Sequence, residues 1–269
     1  MANLTIRPIN TGYAETYKKQ YQYHHSTHKY HNVDDGKLLL PCMAFLIEGG
    51  DKLVLVDTGM SNTEIANKYH HPGSYQPDGF AIHEQLAKLG IKCEDIDIVI
   101  FTHMHWDHMH NMDKFVNARF IAHKKEWEFC QNPIPLYYKS YEHPKLGIKA
   151  PFTGLKIETV EGEQEIVPGI RVFESFGHSP GHMSVEVDCE DGSYILCGDA
   201  IFIYDNLKPV PDMFYDITPP ARFANMIECW NSIVEMKKRA KEQRFILPTH
   251  EPEIEELAKK YGTFPIPKK

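Results

Sequence analysis

The sequence has no excess of positive charge and no long apolar run. Its 269 residues include 29 Lys and Arg against 37 Asp and Glu, which gives a net charge of −8. Because nucleic-acid phosphates are bound by basic surfaces, this balance argues against DNA or RNA as a partner. Apolar runs such as residues 96–101 are far shorter than the roughly 20 residues that a membrane-spanning helix requires, so no membrane segment is expected.

Cysteine pairs with metal-binding or redox spacing are also missing. The six cysteines form no C-x-x-C pair, and several stand inside apolar, strand-like runs, which is typical of buried, reduced thiols. The first residues have neither the basic nor the apolar stretch of a secretory signal. These features together predict a cytoplasmic protein. No glycine-rich nucleotide-binding motif occurs, so a bound nucleotide is not indicated.

Apolar periodicity divides the chain into strands and helices. Two runs joined by Gly49-Gly50-Asp51 predict a β-hairpin. The predicted strands are residues 40–48, 52–57, 97–102, 118–122, 155–160, 170–176, 183–187, 194–197 and 244–247, and the predicted helices are residues 81–89, 124–129, 221–241 and 253–261. This order favours an α+β sandwich of two sheets covered by helices over a doubly wound parallel sheet. Since no repeat or linker is present, residues 1–269 are expected to form a single domain.

One short segment is dense in metal-binding side chains. His103, His105, Asp107 and His108 directly follow the predicted strand 97–102. All four are suitable ligands for zinc or similar ions, and an extended chain points His103 and His105 to the same side. Four ligands exceed what one catalytic ion can use while keeping an open position, so the segment indicates two adjacent ions.

Three further ligands follow apolar strands later in the chain. His178, Asp199 and His250 each stand just after a predicted strand ends, where a rigid scaffold can hold them at one edge of a sheet. We therefore expect two divalent metal ions, with zinc favoured over iron or manganese. The seven candidate ligands are His103, His105, Asp107, His108, His178, Asp199 and His250.

The order and spacing of these seven ligands resemble those of the metallo-β-lactamase superfamily. The resemblance covers about residues 40–251 and includes the turn Asp57-Thr58-Gly59. It implies a four-layer αββα sandwich in which Asp199 bridges the two ions. The ligands of one ion would be His103, His105 and His178, and those of the other Asp107, His108 and His250. A hydroxide between the ions would be the nucleophile, because zinc lowers the pKa of bound water toward about 7.

Within this superfamily, residues 177–182 (Gly-His-Ser-Pro-Gly-His) and the short tail after His250 look most like the N-acyl homoserine lactone lactonases. The resemblance implies a hydrolase that opens a lactone, either an N-acyl homoserine lactone or another cyclic ester. Asp107 is a candidate proton donor to the leaving alkoxide. Such lactonases place a tyrosine three residues after the bridging aspartate, where this chain has Phe202. Tyr204 is the candidate for supplying that hydroxyl instead.

Two alternative functions remain open at this point. A glyoxalase II-like thioesterase would need a cationic pocket for a glutathione- or coenzyme A-like thiol, and no Arg-Lys cluster stands near the ligand segments in the sequence. A redox or binding protein of the same fold would keep the metal ions without hydrolysing anything. Iron with oxygen consumption would favour the redox protein, whereas zinc with proton release from a lactone would exclude it.

Two other segments are unusual. Residues 131–152 form an insertion rich in Pro and Tyr, which predicts either an apolar wall for a small-molecule substrate or a surface loop pinned by proline. Residues 24–31 contain four histidines, whose spacing matches no usual zinc finger. The tyrosines near them, Tyr21, Tyr23 and Tyr30, are candidates for covering the active site or for a homodimer contact.

Overall fold

A computed structural model describes residues 3–266, and its strands form two sheets. The first sheet has the order β1 (Thr5–Tyr17), β2 (Lys37–Glu48), β3 (Val54–Val56), β4 (Ile98–Ile100), β5 (Arg119–His123) and β6 (Ile157–Val160). The second has the order β11 (Ile246–Leu247), β10 (Gly192–Leu196), β9 (Met183–Cys189), β8 (Ile170–Glu174) and β7 (Gln164–Val167). The strands β3 to β6 are parallel, as are β10 and β11, and the remaining pairs are antiparallel.

Alternating side chains show how the layers pack. In β3, Val54 and Val56 join a core with residues of the second sheet, such as Val185. Leu55 points the other way and packs with Leu86, because successive strand residues face opposite sides. The helices are α1 (Thr63–Ile65), α2 (Ile82–Lys88), α3 (Lys124–Gln131), α4 (Met226–Ala240) and α5 (Pro252–Tyr261). Since α3 contacts the first sheet and α4 the second, the predicted αββα sandwich is confirmed.

Several predicted boundaries differ from the structure. The strands β1 and β7 were not predicted, although β1 is 13 residues long. The helix predicted at residues 221–241 begins only at Met226, because the Asn225 side chain caps it by accepting the main-chain N–H groups of Ile227 and Glu228. The strand predicted at residues 97–102 pairs only over Ile98–Ile100, since the chain then leaves the sheet.

The strand ends bring the ligand segments to one edge of the sandwich. Residues 103–108 follow β4, His178 follows β8, Asp199 follows β10 and His250 follows β11. The six cysteines carry free thiols, and all but Cys189 are buried. Among residues 3–266, no helix combines the length and apolar character that crossing a lipid bilayer demands.

Candidate metal centre

The ligand segment is held against the turn that follows β3. The Thr58 main-chain N–H donates to the His108 carbonyl at 2.7 Å, and the His110 N–H donates to the Gly59 carbonyl at 3.1 Å. Gly59 has a φ of +78°, and a Cβ there would lie 2.4 Å from the Thr11 side chain. Only glycine fits this close approach of the turn to β1.

The first group of imidazoles consists of His103, His105 and His178. Their candidate ligand atoms all lie within 4.8 Å of one another, and the side chains are buried. The His178 Nε2 and His105 Nδ1 atoms are 3.0 Å apart. The His103 Nε2 atom is buried without a hydrogen-bond partner, which is costly in a protein interior unless something else satisfies it.

Asp199 lies between this group and a second one. Its Oδ2 atom is 3.4 Å from His178 Nε2, whereas its Oδ1 atom is 3.2 Å from His108 Nε2 and 3.1 Å from His250 Nε2. Asp107 completes the second group, with its Oδ2 atom 3.6 Å from His250 Nε2. The two oxygens of one carboxylate therefore face two separate sets of nitrogens.

The donor set fits a pair of divalent transition-metal ions. Imidazole nitrogens and carboxylate oxygens suit zinc, iron or manganese. The Nε2 atom of His108, like that of His103, is buried without a hydrogen-bond partner. A bound cation would satisfy both nitrogens. The structure brings all seven candidate ligands together at this edge of the sandwich.

Burial keeps the first group of histidines neutral. It lowers the pKa of His178 to about 4, and it also lowers the pKa values of His103 and His105 well below the usual range. A neutral imidazole is the form that binds a metal ion, because its lone pair is then free. These histidines are therefore ready to bind a cation without first losing a proton at neutral pH.

Other polar groups fix the orientation of the ligands. The Asp57 carboxylate lies 2.8 Å from His108 Nδ1 and accepts the Thr102 main-chain N–H at 2.8 Å. This contact leaves His108 Nε2 directed at Asp199. His182 is not a candidate ligand, because its Nε2 atom accepts the Asp199 main-chain N–H at 3.2 Å. It supports the bridging residue through the backbone.

Sequence reasoning missed Glu126 and Cys42. Glu126 is fully buried in α3 and accepts hydrogen bonds from the ligand segment and from the His178 loop. Cys42, in the middle of β2, has its sulfur within 4.8 Å of candidate ligand atoms of Asp107 and His250. No local motif marks either residue, since both reach the site through contacts that are distant in sequence.

A cavity of about 530 Å³ opens onto the candidate ligands. Asp107, His178 and Asp199 line one side. The cavity is also lined by Ala14, Thr16, Tyr21, Leu40, Phe202 and Arg222. Ala14, Thr16 and Tyr21 come from β1 and the segment directly after it, so Tyr21 lies at the candidate site, which agrees with one of its two predicted roles. Arg222 is a cation that the sequence did not indicate.

The insertion at residues 131–152 contributes to the same cavity. Ser140 lines it, and the Ser140 carbonyl accepts the Trp106 main-chain N–H at 2.8 Å. Tyr141 is buried and donates to Glu126 at 2.9 Å. The insertion therefore reaches the cavity, but through the polar Ser140, so the apolar wall that was one of its two predicted alternatives stays a prediction.

The structure places Tyr204 away from the candidate ligands, in contrast to the position that its predicted catalytic role requires. Its hydroxyl donates to the Ile246 carbonyl at 3.0 Å, inside the core, and it does not line the metal cavity. The chain turns into a short 3₁₀ helix at Tyr204–Leu207, which points this side chain away. Phe202 lines the cavity instead, with its ring stacked 5.8 Å from that of His250.

The four histidines of residues 24–31 form no further ligand group among residues 3–266. His28 Nε2 lies 2.9 Å from the Tyr23 carbonyl, and His31 Nε2 lies 2.9 Å from the Thr218 hydroxyl. His24 accepts the Ser26 main-chain N–H. These contacts fix a loop and use one ring nitrogen of each of these three histidines.

This chain is similar in sequence to two lactonases. An N-acyl homoserine lactonase of Bacillus thuringiensis is 29% identical over 222 residues, which cover 79% of this chain and 82% of that protein. An N-acyl homoserine lactonase of Agrobacterium fabrum is 26% identical over 187 residues, which cover 63% of this chain and 66% of that protein.

Solved structures share the fold. An N-acyl homoserine lactone hydrolase with the product N-hexanoyl-L-homoserine at its catalytic metal centre superposes with a TM-score of 0.75 and 23% identity, over 95% of this chain and 96% of that one. A probable metal-dependent hydrolase from Staphylococcus aureus gives a TM-score of 0.76 and 21% identity, over 93% and 90%. The family model of the metallo-beta-lactamase superfamily matches residues 38–250, so this chain belongs to that superfamily.

Proposed function

We propose that this protein is a dinuclear metallohydrolase that opens the ester bond of a lactone. The observation that carries the proposal is the position of Asp199, whose two carboxylate oxygens face two separate groups of imidazoles at 3.1 to 3.4 Å. Such a carboxylate suits a bridge between two cations. The relatives named as N-acyl homoserine lactonases support a lactone as the substrate class.

Each candidate ligand has a place in this proposal. One zinc ion would be held by His103, His105 and His178, the other by Asp107, His108 and His250, and Asp199 would contact both. When bound, the two ions would provide a hydroxide nucleophile at neutral pH and polarise the ester carbonyl. His108 contacts the Asp57 carboxylate and His250 contacts the Pro41 carbonyl, each at less than 3 Å, and these contacts fix the orientation of the two rings.

Asp107 has a second role in the proposal. Its carboxylate lines the cavity and is almost fully buried, so it meets both the cation pair and the substrate. Attack of hydroxide on the ester carbonyl and cleavage of the ring C–O bond would give a carboxylic acid and an alkoxide, and the Asp107 carboxylate would take the proton of the acid and pass it to the alkoxide.

A thioesterase is the second candidate, because one observation favours it. The cavity contains Arg222, which gives the cationic wall that an anionic thiol carrier requires. Lactones and thioesters share the same acyl chemistry at the metal centre, so only the substrate distinguishes the two functions.

The proposal is tested on protein whose metal content has been measured. A panel of N-acyl homoserine lactones, simple lactones, thioesters and cyclic amides is followed by acid release. Turnover of lactones by a protein with two zinc ions per chain is the expected result. Turnover of thioesters alone would establish the second candidate, and iron with oxygen uptake but no acid release would overturn both.

Variants of the bridging site sharpen this test. His108→Ala and Asp199→Ala should each remove hydrolysis and lower the metal content, because each takes a ligand from a buried cation. The matched control is His25→Ala, which replaces an exposed histidine outside the cavity. Unchanged turnover in both ligand variants would contradict the dinuclear assignment.

A further inference from the structure

Arg222 occupies an unusual position for an arginine in this chain. The sequence has six arginines. Five of them form ion pairs with carboxylates, namely Arg7, Arg119, Arg171, Arg239 and Arg244. Within residues 3–266, Arg222 has no carboxylate within ion-pair distance, although it lines the cavity of the metal centre. A guanidinium that lines a cavity without an ion-pair partner is available to bind an anionic group of a ligand.

From this we infer that Arg222 selects substrates that carry a carboxylate in addition to the ester to be cleaved. The inference rests on the proposed hydrolase function and adds a substrate class to it. A planar guanidinium can donate two parallel hydrogen bonds to a carboxylate, which fixes both the position and the orientation of the bound molecule. Arg222 is thus a specificity-determining residue.

The backbone on both sides of Arg222 is held in place. The Ala221 N–H donates to the Tyr21 carbonyl at 2.9 Å, and the Ala224 N–H donates to the Gly177 carbonyl at 2.7 Å. Gly177 directly precedes the candidate ligand His178. The backbone that carries Arg222 is therefore hydrogen-bonded to the loop of His178, and a substrate bound by both the guanidinium and the metal centre would be held at two points.

Two aromatic rings flank the guanidinium. Its central carbon lies 6.0 Å from the centroid of the Tyr21 ring and 5.8 Å from that of Tyr137. Rings at this distance restrict the side chain by cation–π attraction but leave its N–H groups without an acceptor. The cation is positioned, and its hydrogen-bonding capacity is still available to a ligand.

The charges around the cavity mouth favour an anion. A groove of about 950 Å³ adjoins the cavity and is also lined by Arg222, together with Lys37, Lys139 and Glu15. Glu15 already pairs with Lys37. Lys139 is exposed and, within the described part of the chain, has no ion-pair partner. The mouth is thus locally positive in a protein of net charge −8, which would attract an anionic substrate.

The test compares charged and neutral lactones in two pairs. The first pair is 5-oxotetrahydrofuran-2-carboxylate and its neutral carboxamide. The second, longer pair is N-adipoyl and N-hexanoyl homoserine lactone, in which a terminal carboxylate replaces a methyl group. In Arg222→Met, kcat/KM should fall by about 30-fold or more for the charged lactone of whichever pair the wild type hydrolyses faster. It should stay within about 3-fold for the neutral member, because the metal centre is unchanged.

Control variants separate charge from packing. Arg222→Lys keeps the charge but loses the planar fork, so it should restore part of the preference for the charged member. Arg119→Met removes a surface arginine that pairs with Glu158 and should leave both members unchanged. Equal losses for charged and neutral substrates in Arg222→Met would show a purely structural role for the stack on Tyr21 and Tyr137 and overturn the inference.

A binding measurement keeps this inference distinct from the proposed function. Titration calorimetry on the metal-loaded protein compares 2-hydroxyglutarate with 4-hydroxybutyrate, which lacks the second carboxylate. Arg222→Met should weaken binding of the first by about 10-fold or more and leave the second unchanged. If the wild type hydrolyses no lactone, the proposed function fails, while this comparison still decides the role of Arg222. Equal affinities of the wild type and of Arg222→Met for 2-hydroxyglutarate would refute the role of Arg222 in binding a carboxylate.

Discussion

The Glu126 carboxylate accepts the main-chain N–H of Met104 at 2.9 Å, midway between the candidate ligands His103 and His105. Its other oxygen accepts the Ser179 hydroxyl at 2.6 Å and the Gly181 N–H at 3.1 Å, in the loop that carries His178. One buried side chain thus joins the two segments that supply the first group of imidazoles.

Glu126→Gln tests this connection. A glutamine amide has one accepting oxygen and one donating nitrogen, so donors that now face the second oxygen would lose their acceptor. Leaving a buried donor unsatisfied costs about 1–3 kcal/mol, and we expect a loss of this size in the free energy of unfolding. The affinity for the ion at His103, His105 and His178 should fall by about 10-fold or more, as for other changes behind metal ligands.

Denaturant unfolding and metal titration measure the two effects. The matched control is Glu128→Gln, two residues further along the same helix, where the side chain is exposed. It should leave the unfolding free energy and the metal affinity unchanged. If Glu126→Gln behaved like this control, the carboxylate would not be holding the two loops.

The candidate ligands could be predicted from the sequence because each follows an apolar strand within a few residues. His103 comes soon after β4, and Asp199 comes soon after β10. The residues of β1 that line the cavity could not be predicted in this way. This strand contains Pro8, Gly12 and a register shift between Asn10 and Tyr13, which interrupt the alternation that marks a strand.

Residues that act across long sequence separations also escaped prediction. Glu126 contacts Met104 and Gly181 through tertiary folding, and its own helix gives no sign of this role. Arg222 reaches the cavity because Ala221 and Ala224 are hydrogen-bonded to distant loops. The error at Tyr204 has a similar cause, since spacing from Asp199 predicted a neighbour whereas a 3₁₀ turn redirects the side chain.

A second buried carboxylate makes the packing of the insertion sensitive to pH. Glu142 Oε1 lies 2.8 Å from His70 Nε2, and its Oε2 lies 3.2 Å from His110 Nε2. The His70 ring stacks on Trp106, which lines the cavity, with centroids 4.3 Å apart. Burial alone would raise the pKa of Glu142, but the hydrogen bonds from His110 and His70 outweigh it and lower the pKa below 4.5.

The sign of the pH effect follows from this lowered pKa. A carboxyl whose pKa is lower in the folded state stabilises the fold fully above its unfolded pKa of about 4.5, and this contribution is lost as pH falls through the folded value. At neutral pH, Glu142→Gln should lower the unfolding free energy by about 1.5–3 kcal/mol, as expected for hydrogen bonds to a charged group.

Thermal unfolding of the wild type and of Glu142→Gln across a pH series checks this. The difference in Tm should be constant near neutral pH and shrink below about pH 4.5. Glu158→Gln is the control, because Glu158 pairs with Arg119 at the surface and such pairs contribute about 0–1 kcal/mol. A Tm difference for Glu142→Gln that grew on acidification would contradict the assigned role.

Tyr204→Phe separates stability from catalysis at the position that sequence reasoning placed in the site. Its hydroxyl donates to the Ile246 carbonyl, and burial raises the pKa of Tyr204, so the hydroxyl remains a donor inside the core. We expect kcat to stay within about 2-fold of wild type, and the unfolding free energy to drop by about 0.5–1.5 kcal/mol for one lost hydrogen bond.

Phe202→Tyr is the matched opposite, because it adds a hydroxyl to a ring that already lines the cavity beside His178 and His250. That variant should alter kcat and leave the core hydrogen bonds intact. A loss in kcat of about 10-fold in Tyr204→Phe, without a change in stability, would return this hydroxyl to the reaction and require the loop after Asp199 to move.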